Sequence, residues 1–232
     1  MIKQSLRYFR AYWLKDVSFF ALLIILLNVV FVLPVLVDAG WLPVFWIDIM
    51  LSVLLFIGIW SAQHRKLQIT GALIFVVFVY AKFVYPVSNS LFETVMSCVS
   101  ILLNMYINFS LLFRDGKYNL ERILGAINVY LFVALFGAYC FQLIALIFGE
   151  AIGGNVSFGK AGDDFIHYIY FSMVSLTTVG FGELYPVNQA ARMLSVGLGA
   201  IGILYPAIVI AKLVAVGTDS DGFKREAKGM NS

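Results

Sequence analysis

Six apolar runs, separated by short polar stretches, leave this chain few ways to fold. They cover residues 17–37, 44–62, 67–87, 91–113, 123–148 and 190–216. Each has about the 20 residues that a helix needs to cross the hydrocarbon layer of a bilayer. Of the 232 residues, 62% are hydrophobic and only 12% are charged, more apolar surface than a water-exposed domain can hide. Inside lipid every backbone N–H and C=O must find an internal partner, so the runs are expected as helices. The expected fold class is an all-α membrane protein with six transmembrane helices.

Charge sets the expected orientation. With both termini in the cytoplasm, thirteen of the sixteen Lys and Arg residues fall inside, and only Lys82, Lys160 and Arg192 fall in the outer half or beyond. That bias is the one that cytoplasmic loops show. Residues 1–18 place Ile2, Leu6, Phe9, Trp13 and Val17 on one stripe opposite Lys3, Arg7, Arg10 and Lys15. They are expected as an amphipathic helix on the membrane surface, retained and not cleaved as a signal. The domain plan is then 1–18 interfacial, 19–113 a four-helix unit, 114–122 a cytoplasmic linker, 123–217 a second unit, and 218–232 a short cytoplasmic tail.

The second unit contains a stretch that is too polar to be a seventh span. Between the fifth and sixth runs lies Ser175-Leu176-Thr177-Thr178-Val179-Gly180-Phe181-Gly182-Glu183. Gly180 and Gly182 sit at alternate positions, and glycine is the residue that takes positive φ without a Cβ clash. Consecutive residues held that way turn their carbonyls toward one side, where they can replace the hydration shell of a dehydrated cation. Thr178 adds a hydroxyl oxygen at one end. Ahead of this stretch, Asp163 and Asp164 precede a run from Phe165 to Leu176, which is expected as a short re-entrant helix. Acidic residues at its start cap free amides and suit the positive end of its dipole.

The nine residues resemble the selectivity filter of the potassium-channel family, and the resemblance extends over about 163–216. It implies potassium sites made by the carbonyls of Thr178, Val179, Gly180 and Phe181, with Gly182 closing the motif and Thr177 joining it to the pore helix. It also implies a homotetramer, because one filter segment supplies a quarter of a ring of carbonyls. The chain departs from the family pattern at several positions. Phe181 stands where Tyr is commoner and lacks a hydroxyl, and Glu183 replaces Asp at the outer mouth. Tyr170 and Phe171 occupy places where many relatives carry Trp, and Val174 sits where one bacterial type carries Glu. In the last run, Gly202 falls on the position resembling the family's gating hinge, with Pro206 beyond it favouring a kink. Close helix packing by a small residue is the alternative role for Gly202.

The first four runs look like a voltage sensor in number only. A sensor needs several positive charges in its fourth helix, because each charge moved through about 100 mV supplies only about 2.3 kcal/mol. Residues 88–113 contain no Lys or Arg, and their single charge is Glu93. Asp48, Lys82 and Glu93 are expected to form a mutually neutralising cluster toward the outer side. Lys212 is expected to snorkel to the headgroups or to meet anionic lipid. His64 reads as a loop residue and His167 as a structural histidine. Cys98 and Cys140 read as small apolar residues, not as a disulfide framework.

The function expected is passive potassium conduction in a plasma or inner membrane, by a protein that is not an enzyme. Its partners are K+ ions, the bilayer and further copies of itself, with no cofactor and no nucleic acid. A weakly selective cation channel, the membrane subunit of a potassium transporter and a non-conducting regulatory subunit are the rival readings.

Overall fold

The computed structural model describes residues 18–43, 45–61, 65–80, 91–112, 120–156, 158 and 164–229. The interfacial helix expected over 1–18 therefore lies, but for Ser18, outside the described residues, as do His64, Lys82, Asp163 and most of the 114–122 linker. In chain order the helices are α1 (Ser18–Leu27), α2 (Leu33–Asp38), α3 (Phe45–Ser61), α4 (Arg65–Val79), α5 (Leu91–Leu112), α6 (Leu120–Phe148), α7 (Asp164–Leu176) and α8 (Gln189–Gly229).

α1 and α2 are one apolar helix interrupted by a π-helical turn over Asn28–Val32. Pro34 accounts for it. Its ring lacks an N–H and crowds the carbonyl one turn back, and the Leu33 N–H instead reaches Asn28 O, five residues earlier. The helix ends at Gly40, whose φ of 71° fits the left-handed cap that glycine supplies.

Among the described residues, four stretches are long and apolar enough to span a membrane: Phe19–Asp38, Leu91–Phe109, Ile123–Phe148 and Gln189–Lys212. The protein is an integral membrane protein on that ground. The expected spans at 44–62 and 67–87 correspond to α3 and α4, which are shorter, at 17 and 15 residues. α8 continues as helix beyond the apolar stretch to Gly229, so the expected tail begins as helix. Its residues 223–228 are mostly good helix formers once the chain leaves the apolar layer.

The fold is mostly helical but not all-α. β1 (Ile152–Gly154) pairs antiparallel with β2 (Leu184–Pro186), in the register Ile152↔Pro186, Gly153↔Tyr185 and Gly154↔Leu184. Two glycines and a proline hid these strands from sequence reasoning, since both residue types are depleted in strands. Their pairing satisfies backbone that is irregular on both sides.

α6 is the centre of the packing. It touches α1, α5, α7 and α8, and Phe132, Ala134, Leu135, Ala138 and Phe141 are fully buried along it. α5 and α6 are consecutive in the chain and pack against each other. The α1 contact is polar as well as apolar, with Asn128 Nδ2 donating to Phe19 O at 3.0 Å.

Polar but uncharged residues line the buried face of α5. Asn104 and Asn108 are fully buried, and each donates its amide to a carbonyl one turn earlier, Ser100 O at 3.1 Å and Asn104 O at 2.9 Å. Asn104 Oδ1 lies against Gly58 of α3, where a Cβ would come within 1.5 Å of it. A missing side chain on α3 thus admits a carboxamide from α5.

Candidate functional site

α7 ends at Leu176, and the next three residues stay tied to its last turn. The N–H groups of Thr177, Thr178 and Val179 donate to Met173 O (2.8 Å), Ser175 O (3.2 Å) and Val174 O (3.1 Å). The Thr177 hydroxyl adds a bond to Met173 O at 2.7 Å. Beyond them the backbone alternates, with positive φ at Thr178 (59°), Gly180 (57°) and Gly182 (93°). The two glycines were legible in the sequence, whereas Thr178 was not. A β-branched residue in this region is an outlier that costs about 1–3 kcal/mol and persists only where its surroundings hold it. Here the bonds from residues 177–179 back to α7 do the holding.

The side chains of Val179 and Phe181 project away from the rest of the chain, at 52% and 73% exposure. The space where a Cβ on Gly180 or Gly182 would lie is open. The segment therefore presents peptide groups, one after another, on a strip that its own chain does not cover.

Both ends of the segment are anchored. At the far end, β1–β2 pairing is extended by Asn155 N–H to Glu183 O (3.3 Å) and Val187 N–H to Ala151 O (2.9 Å). Asn188 ties the same region to α8. Its Nδ2 donates to Glu150 O at 2.6 Å, and its Oδ1 accepts the Ala191 N–H at 2.9 Å as an N-cap. Gly154, at φ 150°, is required there, because a Cβ would sit 2.2 Å from Glu183 O.

Behind the segment, α7 is bolted to α6. The buried Ser172 hydroxyl donates to Ala134 O at 2.6 Å, and Gly137 leaves the room, since a Cβ on it would lie 2.3 Å from Ser172 Oγ. Phe141 meets Phe171 edge-on with centroids 5.0 Å apart, and Tyr139 lies 4.5 Å from Phe165. Close to the far end of the motif, the Tyr170 hydroxyl donates to Glu183 Oε1. That hydrogen bond, with a smaller effect of burial, pushes the Tyr170 phenol above its ordinary range, which keeps the hydroxyl protonated as a donor. Phe181 has no hydroxyl to offer, so Tyr170 supplies a link between α7 and the segment. Sequence reasoning had noticed both residues without pairing Tyr170 with Glu183.

The α7 end of the motif meets α8 at Gly202. A Cβ there would come 1.6 Å from Leu176 O and 2.7 Å from its carbon, so α8 and the end of α7 touch backbone to backbone. Tyr130 OH approaches the same Leu176 carbonyl at 3.5 Å, and Tyr205 OH donates to Ala126 O at 2.9 Å. Pro206 lies one turn further along, within a helix that is continuous from Gln189 to Gly229.

Of the remaining expected residues, Asp164 opens α7. Asp48 and Glu93 lie in the first turns of α3 and α5, and Lys82, the third member of the expected cluster, lies outside the described residues. His167 stands edge-on to Phe158 at 5.6 Å. Lys212 is exposed, at the last apolar turn of α8.

Residues 129–219 match the family model described as "Ion channel". The match takes in most of α6, all of α7 and the motif, and the apolar part of α8. Over 84 residues the chain is also 32% identical to "Two-pore potassium channel 1" of Arabidopsis thaliana. That alignment takes in 36% of this chain and 20% of the relative, so the chain spans about a fifth of the length of the curated relative it matches. Together with the apolar helices, the matches support a membrane ion channel.

Proposed function

We propose that the protein conducts potassium ions passively, as a homotetramer whose four 177–183 segments form a single filter. The carbonyls of Thr178, Val179, Gly180 and Phe181, with the Thr178 hydroxyl, replace the hydration shell of the ion. The observation that carries this reading is the alternation of positive φ at Thr178, Gly180 and Gly182, which gives successive peptide groups a common side. The uncovered face of α8 and the exposure of Val179 and Phe181 fit contact with further copies. The match to the ion-channel model and the likeness to a plant potassium channel support the choice of ion.

In this reading Asp163 and Asp164 cap the pore helix, and Glu183 sets a carboxylate ring at the outer mouth. The termini face the cytoplasm, and Lys212 meets lipid headgroups, anionic ones included. Gating lies at the bend near Gly202 and Pro206 or at the filter itself. The contact between Gly202 and Leu176 O favours motions that engage both. Steep voltage gating is not part of the proposal, because α5 carries carboxamides and no basic residue over Leu91–Leu112.

The test is the reversal potential of currents from purified, reconstituted protein under opposed potassium and sodium gradients. A potassium preference of at least tenfold is expected. A permeability ratio near one would sink potassium selectivity and leave the weakly selective cation channel, a reading that the missing hydroxyl at Phe181 favours.

A further inference from the structure

Two tyrosine hydroxyls join α6 to α8 and to the end of α7. Tyr205 of α8 donates to Ala126 O at 2.9 Å, across 79 residues of chain. Tyr130 of α6 donates to Leu176 O, the last residue of α7, at 3.5 Å. The two rings lie 6.2 Å apart and 32° from parallel, and both side chains are half-buried.

Each acceptor has a second contact that links it to the other tyrosine's helix. In α6 the Ala126 carbonyl is also the one that the Tyr130 N–H meets, one turn on, so one oxygen joins the α8 hydroxyl to the residue that reaches α7. Leu176 O is among the last four carbonyls of α7, which have no partner within their own helix. The N–H groups of Thr177, Thr178 and Val179 go to Met173, Ser175 and Val174 O instead. The Tyr130 hydroxyl and the backbone of Gly202 both meet Leu176 O.

On α8 these contacts fall on a turn that its own backbone holds weakly. Gly202 and Tyr205 are three residues apart and share a face. Pro206 follows at once inside the helix, and it has no N–H to give to Gly202 O, four residues back. A turn that lacks one backbone bond is therefore pinned twice by other elements, to α6 at Tyr205 and to α7 at Gly202. The contacts close a circuit from Gly202 through Leu176 O, Tyr130, Ala126 O and Tyr205 back to the same turn.

We propose that Tyr205 and Tyr130 are positioning residues that make the 202–206 turn of α8 and the α7 end of the motif move as one unit. Releasing the turn then releases Thr177, Thr178 and Val179. The consequence for gating rests on the conduction proposed above: a bend of α8 and a change in the filter become one event, not two gates in series.

The test is hydrogen–deuterium exchange, read by mass spectrometry on the full chain in lipid nanodiscs. Tyr205→Phe and Tyr130→Phe each remove one hydroxyl and keep the ring. Tyr106→Phe, whose ring is exposed on α5, is the control. Tyr205→Phe is expected to speed exchange about fivefold in residues 200–210 and also in 177–179, with 91–112 at the wild-type rate. Tyr130→Phe, which removes the longer bond, should speed the same two segments by a smaller factor, and Tyr106→Phe neither. Faster exchange in α8 alone would overturn the proposal, as would unchanged exchange in 177–179. Equal acceleration in every segment, α5 included, would do the same, since it would mean general loosening. Either variant decides the matter if the other does not fold. Exchange needs no current, so the expected pattern in a protein that passes no potassium would sink the conduction reading and leave the coupling standing.

Discussion

Replacing Gly202 with alanine tests how the end of α7 is held. The added Cβ would lie 1.6 Å from Leu176 O, whereas ordinary contact begins near 3.4 Å. Relief therefore requires α8 and the end of α7 to part by about 1.8 Å, the difference of those two distances. No side chain can rotate away, because the obstructing atoms are backbone. Overpacking of this kind costs about 1–3 kcal/mol; taking about 2 kcal/mol, an equilibrium between conducting and non-conducting filters shifts about thirtyfold per chain. The displaced residue immediately precedes Thr177, so the cost falls on the α7 end of the motif. Gly199→Ala is the control: it makes the same change in helix flexibility on the same helix, yet its Cβ would meet Ser175 O at an ordinary 3.5 Å. The assay pairs potassium flux into vesicles, normalised to protein incorporated, with thermal unfolding followed by tryptophan fluorescence. Gly202→Ala should lower both flux and melting temperature, while Gly199→Ala should leave the melting temperature near that of the wild type. Wild-type melting together with reduced flux would refute the packing argument and leave loss of helix bending as the cause.

Three further outcomes follow from contacts at the same site. Tyr170→Phe removes the hydroxyl that donates to Glu183; with solvent screening the loss is about 1 kcal/mol, so currents should decay about fivefold faster under sustained opening, read by patch recording, and unchanged decay would deny the link a role. Ser172→Ala deletes the buried bond to Ala134 O and should destabilise the fold by about 1 kcal/mol without altering ion selectivity, as measured by thermal unfolding and reversal potential. Gly154→Ala faces both a φ of 150° and a carbonyl 2.2 Å away, so it should abolish flux by displacing the Glu183 end of the motif, as read by potassium flux into vesicles; wild-type flux would deny the β1 contact a role.

How far the sequence could be read depended on how local each determinant is. The apolar runs were legible because spanning requires length and composition, both of which lie along the chain. Gly180 and Gly182 were legible because positive φ selects glycine. Thr178 broke that rule, since its conformation is imposed by hydrogen bonds to the end of α7 and not by its own preference. The Tyr170–Glu183 bond joins residues 13 apart on elements of different kind, and no periodicity reports it. Gly202 was ambiguous for a physical reason: the missing side chain that permits bending also permits contact, and only the position of Leu176 O distinguishes the two. The β1–β2 pair was hidden by its glycines.

The bond from Asn128 to Phe19 spans 109 residues, and that separation becomes a waiting time during synthesis. At about 5–20 residues per second, roughly 5–20 s pass between the appearance of Phe19 and that of its partner. The first helix can wait, because the Phe19–Asp38 stretch is the most apolar of the four candidate spans and is stable in lipid alone. α5 cannot wait as well, since Leu91–Phe109 is the least apolar of them and carries Asn104 and Asn108. It is followed at once by α6, which covers it. The span that best tolerates being alone in the bilayer is thus made early, and the one that tolerates it least is followed at once by its cover.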